Sequence, residues 1–333
     1  MNTQSIEPLL DKALAFRAAC FDDRHETALR LFNGFSEGAP NLVVDLYART
    51  AVIHNYADDP SAGLAAARVA QEFLPARLPW LQTMVVKTRN GSSPEDKRGQ
   101  VVYGTKPDRK IRENGVWYAV DVMLNRDASF YLDTRNVRIW AKDHLAGKAV
   151  LNTFAYTGSL GVAAQAGGAA RVVHLDLNRN FLNVAKASYT LNGFPIHKAD
   201  FQSGDFFPQI SRLKAANARF DCVFVDPPIY SATNKGIVNL AESYTRVINK
   251  VRPLINDGGY LVAINNALFY SGADYLAEIE ALCADGYLTI AELIPVPEDF
   301  IGNVQLPSVS TIADPAPFNH ATKIVVLKVR RKA

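Results

Sequence analysis

Two apolar stretches of the sequence are expected to form buried strands. Each is followed by residues of a type suited to ligand binding. An apolar run from Ala149 leads into a turn of small residues at Thr157-Gly158, and a second run, Val172-Val-His-Leu, ends at Asp176. A small-residue turn lets the backbone approach a ligand, and the helix that follows presents unpaired N–H groups there. Asp176 lies 18 positions after Gly158, about where a βαβ unit places a carboxylate against ribose hydroxyls. These residues predict a site for a nucleotide-type cofactor.

The glycines of this turn do not have the spacing that holds a pyrophosphate. Gly158 and Gly161 do not make up the pattern G-x-G-x-x-G, which is typical of dinucleotide-binding turns. A cofactor without phosphates is therefore favoured, and a nicotinamide-dependent dehydrogenase is disfavoured.

A third apolar run, Phe220-Asp-Cys-Val-Phe-Val, is followed by Asp226-Pro227-Pro228. Each proline fixes φ and lacks an N–H donor, so the turn is stiff and leaves two carbonyl groups free to face a ligand. Tyr230 comes two residues later and is a candidate to stack on a base. A turn that merely stops the next helix is the alternative.

Two further turns have both a chemical and a structural interpretation. Asn265 and Asn266 follow the apolar segment Val262-Ala-Ile; they would hydrogen-bond a base edge or cap the next helix. Asp205 precedes an apolar helix that starts at Phe206, where it would contact a cofactor, cap the helix, or both.

Alternating elements would position these residues. From residue 143 onward strands and helices alternate to a late strand at 323–329, which predicts an α/β fold with a doubly wound, mostly parallel, Rossmann-like sheet. Before it, one helical stretch at 61–73 lies among strand-like runs at 28–32, 42–47, 51–54 and 83–87. We expect an N-terminal helix over 1–24, a smaller α+β domain over 25–125 that binds substrate, and the cofactor domain over 126–333.

The order of the motifs resembles that of the class I S-adenosylmethionine-dependent methyltransferases that modify bacterial large-subunit ribosomal RNA. The shared motifs are Phe130-Tyr-Leu-Asp-Thr-Arg135, Asn152-Thr-Phe-Ala-Tyr-Thr-Gly158, Gly167-Gly-Ala169, Asp176, Leu191-Asn-Gly193 and Asp226-Pro-Pro228. The resemblance covers roughly residues 25–330. It implies a transferase that uses S-adenosyl-L-methionine, with residues 126–333 as the methyltransferase domain.

The resemblance also implies roles for single residues. Asp176 would bind the ribose and Asp205 the adenine amine, and Tyr131, Asp133 and Arg135 would border the methionine end of the cofactor. From sequence alone the last three are equally a set of salt bridges at a domain junction. The implied cofactor set is Tyr131, Asp133, Arg135, Asn152, Phe154, Tyr156, Thr157, Gly158, Asp176, Leu177, Asp205, Phe206 and Asp226. The residues expected to act on the substrate are Asp226, Pro227, Pro228, Tyr230, Asn265 and Asn266.

The end of the strand after Asp-Pro-Pro bears on the chemistry. Methylation of cytosine C5 needs a cysteine nucleophile, and the branch of the family that does this carries the cysteine where Asn265 and Asn266 stand here. Cys222 lies within a buried-type strand and Cys283 in a helix, so neither is placed to attack. The asparagine pair resembles the guanine-N7 branch, where the ring nitrogen has a lone pair and needs no base.

Composition limits the partners. The net charge of the 333 residues is only +3, so any contact with RNA must be local. One basic cluster contains Lys97, Arg98, Lys106, Arg109, Lys110 and Arg112. Because Asp96, Asp108 and Glu113 interrupt it, a solvated mixed-charge surface is the alternative to a phosphate-contacting patch.

Several classes of protein are disfavoured. Three separated cysteines predict neither disulfides nor a metal site, six scattered histidines predict no metal, and the cytoplasm is the expected compartment. No run approaches the roughly 18 apolar residues that a membrane span needs, and a homodimer through strand edges of the first domain remains open.

Two other functions stay open beside RNA methylation. Residues 1–25 are too short for the RNA-binding barrel that precedes this region in many family members. With the modest charge, this motivates a methyltransferase of a small molecule or protein on the same scaffold. A catalytically silent cofactor-binding module that assists RNA folding is the other.

Overall fold

The computed structural model describes residues 6–228, 244–302 and 312–331, together with the backbone of residues 230–233 and 236–239. The chain divides into two compact units. The first is Met1–Asp133 with Pro297–Ser310, and the second is Thr134–Val296 with Thr311–Ala333. The structure divides the chain after Asp133, whereas the sequence placed the domain boundary at residue 125. The N-terminal helix is part of the first unit.

A five-stranded sheet forms the centre of the first unit. In spatial order its strands are β1 (Ala28–Asn33), β2 (Leu42–Tyr47), β3 (Thr50–Asn55), β4 (Thr83–Thr88) and β5 (Gln100–Tyr103). Only β3 and β4 pair in parallel, and the other neighbours are antiparallel. A hairpin of β6 (Lys110–Glu113) and β7 (Val116–Ala119) follows. The helices before it are α1 (Glu7–Phe16), α2 (Gly34–Glu37), α3 (Pro60–Arg77) and α4 (Pro94–Arg98).

Apolar side chains at helical spacing attach α1 and α3 to this sheet. Leu10, Ala13 and Leu14 of α1 recur at intervals of three and one, and Ala67 and Ala70 of α3 are three apart. All five are buried in one cluster with residues of the first four strands, as expected for a single apolar stripe on each helix. The predicted α+β character of this region is confirmed by these elements.

The second unit is a seven-stranded sheet with helices between its strands. In spatial order the strands are β10 (Phe201–Ser203), β9 (Arg171–Asp176), β8 (Ala149–Thr153), β11 (Phe220–Val225), β14 (Ile255–Asn265), β16 (Lys323–Val329) and β15 (Leu288–Leu293). The first five run parallel, and β16 is antiparallel to both of its neighbours. A separate antiparallel pair is β12 (Tyr230–Thr233) with β13 (Gly236–Asn239). The helices are α5 (Arg135–His144), α6 (Ser159–Ala166), α7 (Arg179–Leu191), α8 (Phe206–Ala215), α9 (Tyr244–Val251) and α10 (Gly272–Cys283).

The strands of the second unit are continuous apolar runs in the sequence because they are parallel and buried. Leu151, Val173, Val223 and Leu261 come from four adjacent strands and lie together in one core cluster, which also includes residues of α8, α9 and α10. A parallel sheet covered by helices has no polar face. The predicted α/β class with a mostly parallel doubly wound sheet is confirmed.

A segment that follows β15 belongs to the first unit. Its short helix α11 (Glu298–Ile301) contacts β1. The fully buried Arg17 donates from Nε to the carbonyl of Asp299 at 2.8 Å and pairs with Glu37 at 2.9 Å. The sequence carried no signal for this return of the chain. No helix in the described ranges is both long and apolar enough to cross a bilayer.

Candidate active site

The order of the strands reverses between β8 and β11, and the candidate residues follow the strands on either side. The chain runs from β8 outward through β9 to β10, then returns to β11 on the other side of β8. Doubly wound sheets bind ligands at the carboxyl ends of their strands beside such a reversal. Thr153 is aligned with Leu175 and Val225, and Val225 with Ala263. The residues that come next in each strand or loop therefore lie along one edge of the sheet.

The loop between β8 and α6 has an unusual backbone. Phe154 and Tyr156 have φ of 52° and 50°, in the left-handed region that costs a non-glycine residue of order 1–3 kcal/mol. Contacts with the neighbouring strand compensate: the N–H of Ala155 donates to the carbonyl of Leu175 at 2.9 Å, and that of Tyr156 donates to Asp176 Oδ2 at 2.8 Å. The loop and the acidic residue thus fix each other's position.

Asp176 is brought to this loop, as the sequence predicted. Its Oδ1 accepts the N–H of Asn178 at 2.7 Å, and its Oδ2 accepts that of Tyr156. Burial raises the pKa of this carboxyl, although both backbone hydrogen bonds act to lower it. Each oxygen keeps a further lone-pair direction for a hydroxyl donor. The site therefore fits a ribose diol, and Leu177 beside it is largely exposed.

The glycines of the turn have packing reasons of their own. A Cβ on Gly161 would lie 2.4 Å from His174 Cε1, and one on Gly158 would lie 2.5 Å from Ala185 Cβ. Gly158 also has a φ of 80°, a conformation that favours glycine. The prediction that the Thr157-Gly158 turn lets the backbone approach a ligand therefore has a competing explanation.

Asn152 supports the loop from inside the fold. It is 2% exposed, and its Nδ2 lies 3.5 Å from Nδ1 of the buried His174. The other ring nitrogen of His174 lies 3.0 Å from the hydroxyl of Tyr189. Burial lowers the pKa of His174 to about 3, so the ring is neutral and its role is structural. The sequence did not single out His174.

Aromatic rings and a helix cap lie beside the loop. The rings of Phe154 and Phe206 stack with centroids 4.6 Å apart, and Tyr156 meets Phe181 edge-on at the same distance. Asp205 Oδ1 accepts the N–H of Phe207 at 3.0 Å and caps α8. The capping interpretation of Asp205 is confirmed, and its contact with adenine stays a prediction. Thr157 is buried in the same loop.

The Asp226-Pro227-Pro228 turn follows β11 at the same edge. Asp226 is partly buried, Pro227 buried and Pro228 exposed. Below the turn, the hydroxyl of Tyr244 lies 3.3 Å from the carbonyl of Val225 and 3.0 Å from that of Ile264. Tyr244 thus ties the ends of β11 and β14 together. Sequence reasoning missed this tyrosine.

The side chain of Tyr230 lies outside the described residues, although its backbone begins β12. Its predicted stacking on a base therefore stays a prediction.

Asn265 ends β14 and Asn266 follows it, but the pair does not cap the next helix. Asn265 is 4% exposed, and its Oδ1 accepts the N–H of Ala267 at 2.9 Å. Asn266 is partly exposed. The cap of α10 is Ser271, whose Oγ accepts the N–H of Asp274 at 3.0 Å. The helix-capping interpretation of the pair is therefore wrong, because six residues lie between the end of β14 at Asn265 and the start of α10 at Gly272.

Neither cysteine of the second unit can serve as a nucleophile at this edge. Cys222 is fully buried and pairs in register with Val150 and Tyr260, three residues before the end of β11. Burial raises its pKa, and it also raises that of Cys283, the last residue of α10. The expectation that neither is placed to attack is confirmed.

Of the three residues predicted at the methionine end, two belong to the first unit and one to the second. The hydroxyl of Tyr131 donates to Asp127 at 3.3 Å, and Asp133 is the last residue before the division. Arg135 begins α5. Their shared role stays a prediction.

The basic cluster is partly neutralised. Arg109 pairs with Asp121 at 2.5 Å and Arg112 with Glu26 at 3.8 Å, while Lys110 lies 4.3 Å from the centre of the Trp117 ring. Among the described residues, no group of three or more acidic, histidine or cysteine side chains is arranged to hold a metal ion.

Known proteins resemble the chain in sequence and fold. A candidate ribosomal RNA large subunit methyltransferase of Bacillus subtilis, YwbD, is 29% identical over 308 residues, covering 87% of this chain and 74% of its own. The ribosomal RNA large subunit methyltransferase I of Aliivibrio fischeri is 29% identical over 260 residues, covering 76% of this chain and 64% of its own. This chain therefore spans less than two thirds of the second relative.

A solved structure has the same fold. It is that of a candidate methyltransferase complexed with SAH, with a TM-score of 0.82 at 24% identity over 99% of this chain and 82% of its own. The model of a family described as S-adenosylmethionine-dependent methyltransferase matches residues 85–307. Since this match extends over more than half of the sequence, the chain belongs to that family and is an S-adenosylmethionine-dependent methyltransferase.

Proposed function

We propose that this enzyme methylates ribosomal RNA of the large subunit at a base nitrogen, with guanine as the base. The named relatives support the RNA substrate, because they are large-subunit ribosomal RNA methyltransferases. The choice of a nitrogen rather than a carbon as the methylated atom depends on the end of β14. Asn265 and Asn266 stand there, and no cysteine of the second unit is within reach. Covalent activation of a carbon would need that thiol.

The loop after β8 and the acidic residues beside it would hold the cofactor. Asp176 would accept hydrogen bonds from the ribose, and Phe154 and Phe206, already stacked on each other, would border the adenine. Asp205 would accept from the adenine amine with the carboxylate oxygen that does not cap α8. When bound, S-adenosylmethionine supplies a methyl group carried on a positively charged sulfur.

The substrate side of the site would act by orientation. A ring nitrogen with an in-plane lone pair takes up a methyl group without losing a proton, so no residue has to act as a base. The backbone carbonyls of the stiff Asp226-Pro227-Pro228 turn and the exposed part of Asn266 would hold the base edge. They would keep the nitrogen about 3 Å from the methyl group, the geometry that lowers the barrier most.

Nucleoside mass spectrometry of ribosomal RNA tests the proposal. RNA from a strain that lacks the protein should miss one methylguanosine, which the wild-type gene restores and the Asp226→Ala variant does not. An intact methylation profile would contradict the RNA substrate. Transfer of labelled methyl groups to proteins or metabolites of an extract would then indicate the same scaffold with another substrate. Absence of any turnover despite cofactor binding would indicate a silent binding module.

The RNA is proposed to contact the exposed part of the basic cluster. Lys97, Arg98 and Lys106 are exposed. Arg109 is exposed as well, but it has an acidic partner, as Arg112 has. The charges of the first three suit phosphate groups, and that contribution falls with salt concentration.

A homodimer is proposed through strand β5. It is the last strand of its sheet, and all four of its residues are exposed, including Val101, Val102 and Tyr103. Two copies paired antiparallel would set Val101 against Val102 of the other copy, which covers an apolar edge that lacks the usual charged residues. Light scattering should report a dimer for the wild type and a monomer for Val102→Lys.

A further inference from the structure

The loop that follows β14, residues 267–270, is held in place by a buried lysine. Lys323 lies opposite Asn265 in the pairing of β14 with β16 and is fully buried. Its Nζ donates to the carbonyls of Ala267 at 3.0 Å and Tyr270 at 3.1 Å, one at each end of the loop. A third bond reaches the carbonyl of Ala321.

The middle of the loop is also fixed. The carbonyl of Leu268 accepts the N–H of Ala313 at 2.9 Å. At its start, the N–H of Ala267 donates to Asn265. Hydrogen bonds with Lys323, Ala313 and Asn265 therefore determine where the backbone of the loop lies.

The two side chains at the tip of this fixed loop are apolar and exposed. Leu268 is 49% exposed and Phe269 54%. Single exposed apolar residues are common on proteins. Here two adjacent ones follow the substrate-side asparagines on a backbone that a buried cation holds. Burying an ammonium group costs several kcal/mol before its hydrogen bonds compensate. A surface loop that only connects a strand to a helix does not need a buried cation to hold it, so this arrangement indicates that the position of the loop matters for function.

We propose that Phe269, on the loop held by Lys323, stacks on an unpaired base of the RNA substrate. This inference rests on the proposed RNA methylation. β14 is the direct neighbour of β11, so the loop starts at the sheet edge that also carries the Asp226 turn. Proteins bind unstacked RNA bases with exposed aromatic rings of fixed orientation. Phe269 is thereby a substrate-binding residue, and Lys323 is a positioning residue.

Steady-state kinetics on ribosomal RNA test this assignment. Loss of one base-stacking contact predicts that Phe269→Ala raises KM for RNA by about 5- to 150-fold. The affinity for S-adenosylmethionine should stay within twofold of wild type, because the cofactor residues lie on other loops. Phe269→Trp should restore the KM, which a merely structural role would not predict.

Two further variants separate stacking from general effects. Leu191→Ala removes another exposed apolar side chain, 38% exposed at the C-terminal end of α7, and should leave both constants unchanged. Lys323→Met should raise KM for RNA in the same direction as Phe269→Ala, and the double variant should add little to either, since both act through one contact.

The outcomes distinguish the inference from the function on which it rests. If the wild type transfers no methyl group to RNA, the proposed function fails. If the wild type is active on RNA and Phe269→Ala has the same KM and kcat, the stacking role is refuted and the function stands. A change in kcat alone, with KM unaltered, also refutes it.

Discussion

Replacing Asp176 by asparagine should separate cofactor binding from folding. The carboxylate accepts two backbone N–H groups, from Tyr156 at 2.8 Å and Asn178 at 2.7 Å. An asparagine has one acceptor oxygen, so one of these N–H groups would face an NH₂ donor instead. A lost hydrogen bond to a charged group is worth about 1.5–3 kcal/mol.

The hydrogen bond between Asp176 and a ribose hydroxyl should contribute a similar free energy to cofactor binding. Loss of a charge-assisted bond from a ribose hydroxyl predicts that the Kd for S-adenosylmethionine rises by about 10- to 150-fold. The effect on folding should be smaller. Because burial raises the pKa of Asp176, the ionised carboxylate carries a desolvation cost in the free protein, and the neutral amide removes it. Affinity should therefore fall more than stability.

Titration calorimetry with S-adenosylmethionine and thermal unfolding of the same samples measure both quantities. Asp285→Asn is a matched control. Asp285 is exposed and also accepts the N–H two residues further on, that of Tyr287 at 3.0 Å, but at the turn before β15. Its variant should bind the cofactor normally. If Asp176→Asn binds within twofold of wild type while remaining folded, the ribose role of Asp176 is wrong.

Three further outcomes are expected. The pKa of Asp176 is higher in the folded protein than in the unfolded chain, so the folded protein favours the neutral carboxyl. The free energy of unfolding therefore includes a favourable contribution below the pKa of the unfolded chain, and this contribution is lost as the pH rises through the pKa of the folded protein. Binding of S-adenosylmethionine, which uses the ionised form, should weaken on acidification at a pH above the ordinary 3.8 of an aspartate, and calorimetry should find this dependence missing from Asp176→Asn. Cys222→Ala should methylate RNA within about threefold of wild type, at a stability cost of about 1 kcal/mol for the lost buried sulfur; a loss above a hundredfold in a folded variant would indicate covalent chemistry. Replacing Lys97 and Lys106 by glutamine should lower the slope of log K for RNA against log salt by about 1.4, from two phosphate contacts at about 0.7 each, and an unchanged slope would remove them from the RNA surface.

Local patterns were sufficient to predict most of the strands and helices and to place the candidate residues at the ends of strands. The apolar run at 149–153, the turn to Gly158 and the acid at 176 predicted a βαβ unit, and the structure has β8, α6 and β9 there. Such a unit is encoded within about thirty consecutive residues, so its sequence carries its geometry. The cap formed by Asp205 was also readable, because a cap depends on its immediate neighbours.

For other residues, the residue type and its immediate neighbours did not decide the role. Asn265 and Asn266 had a helix-capping alternative that failed, because Ser271 occupies the cap and Asn265 instead bonds within its own turn. The turn at Gly158 was interpreted as room for a ligand, although the side chain of Ala185 fills the space beside this glycine. Ala185 belongs to α7, so the pattern of the turn itself does not show it.

The sequence alone determined the alternation of strands and helices, the edge at which the acidic residues emerge, and the absence of a cysteine where β14 ends. These features depend on residue type and on the spacing of near neighbours, and both can be obtained from the sequence. Only the tertiary structure decided that Lys323 holds the loop carrying Phe269, that Tyr244 ties β11 to β14, and that residues 297–302 return to the first unit. Each of these contacts joins segments about 20 to more than 250 residues apart, and their energies arise only when folding brings the groups within hydrogen-bonding distance.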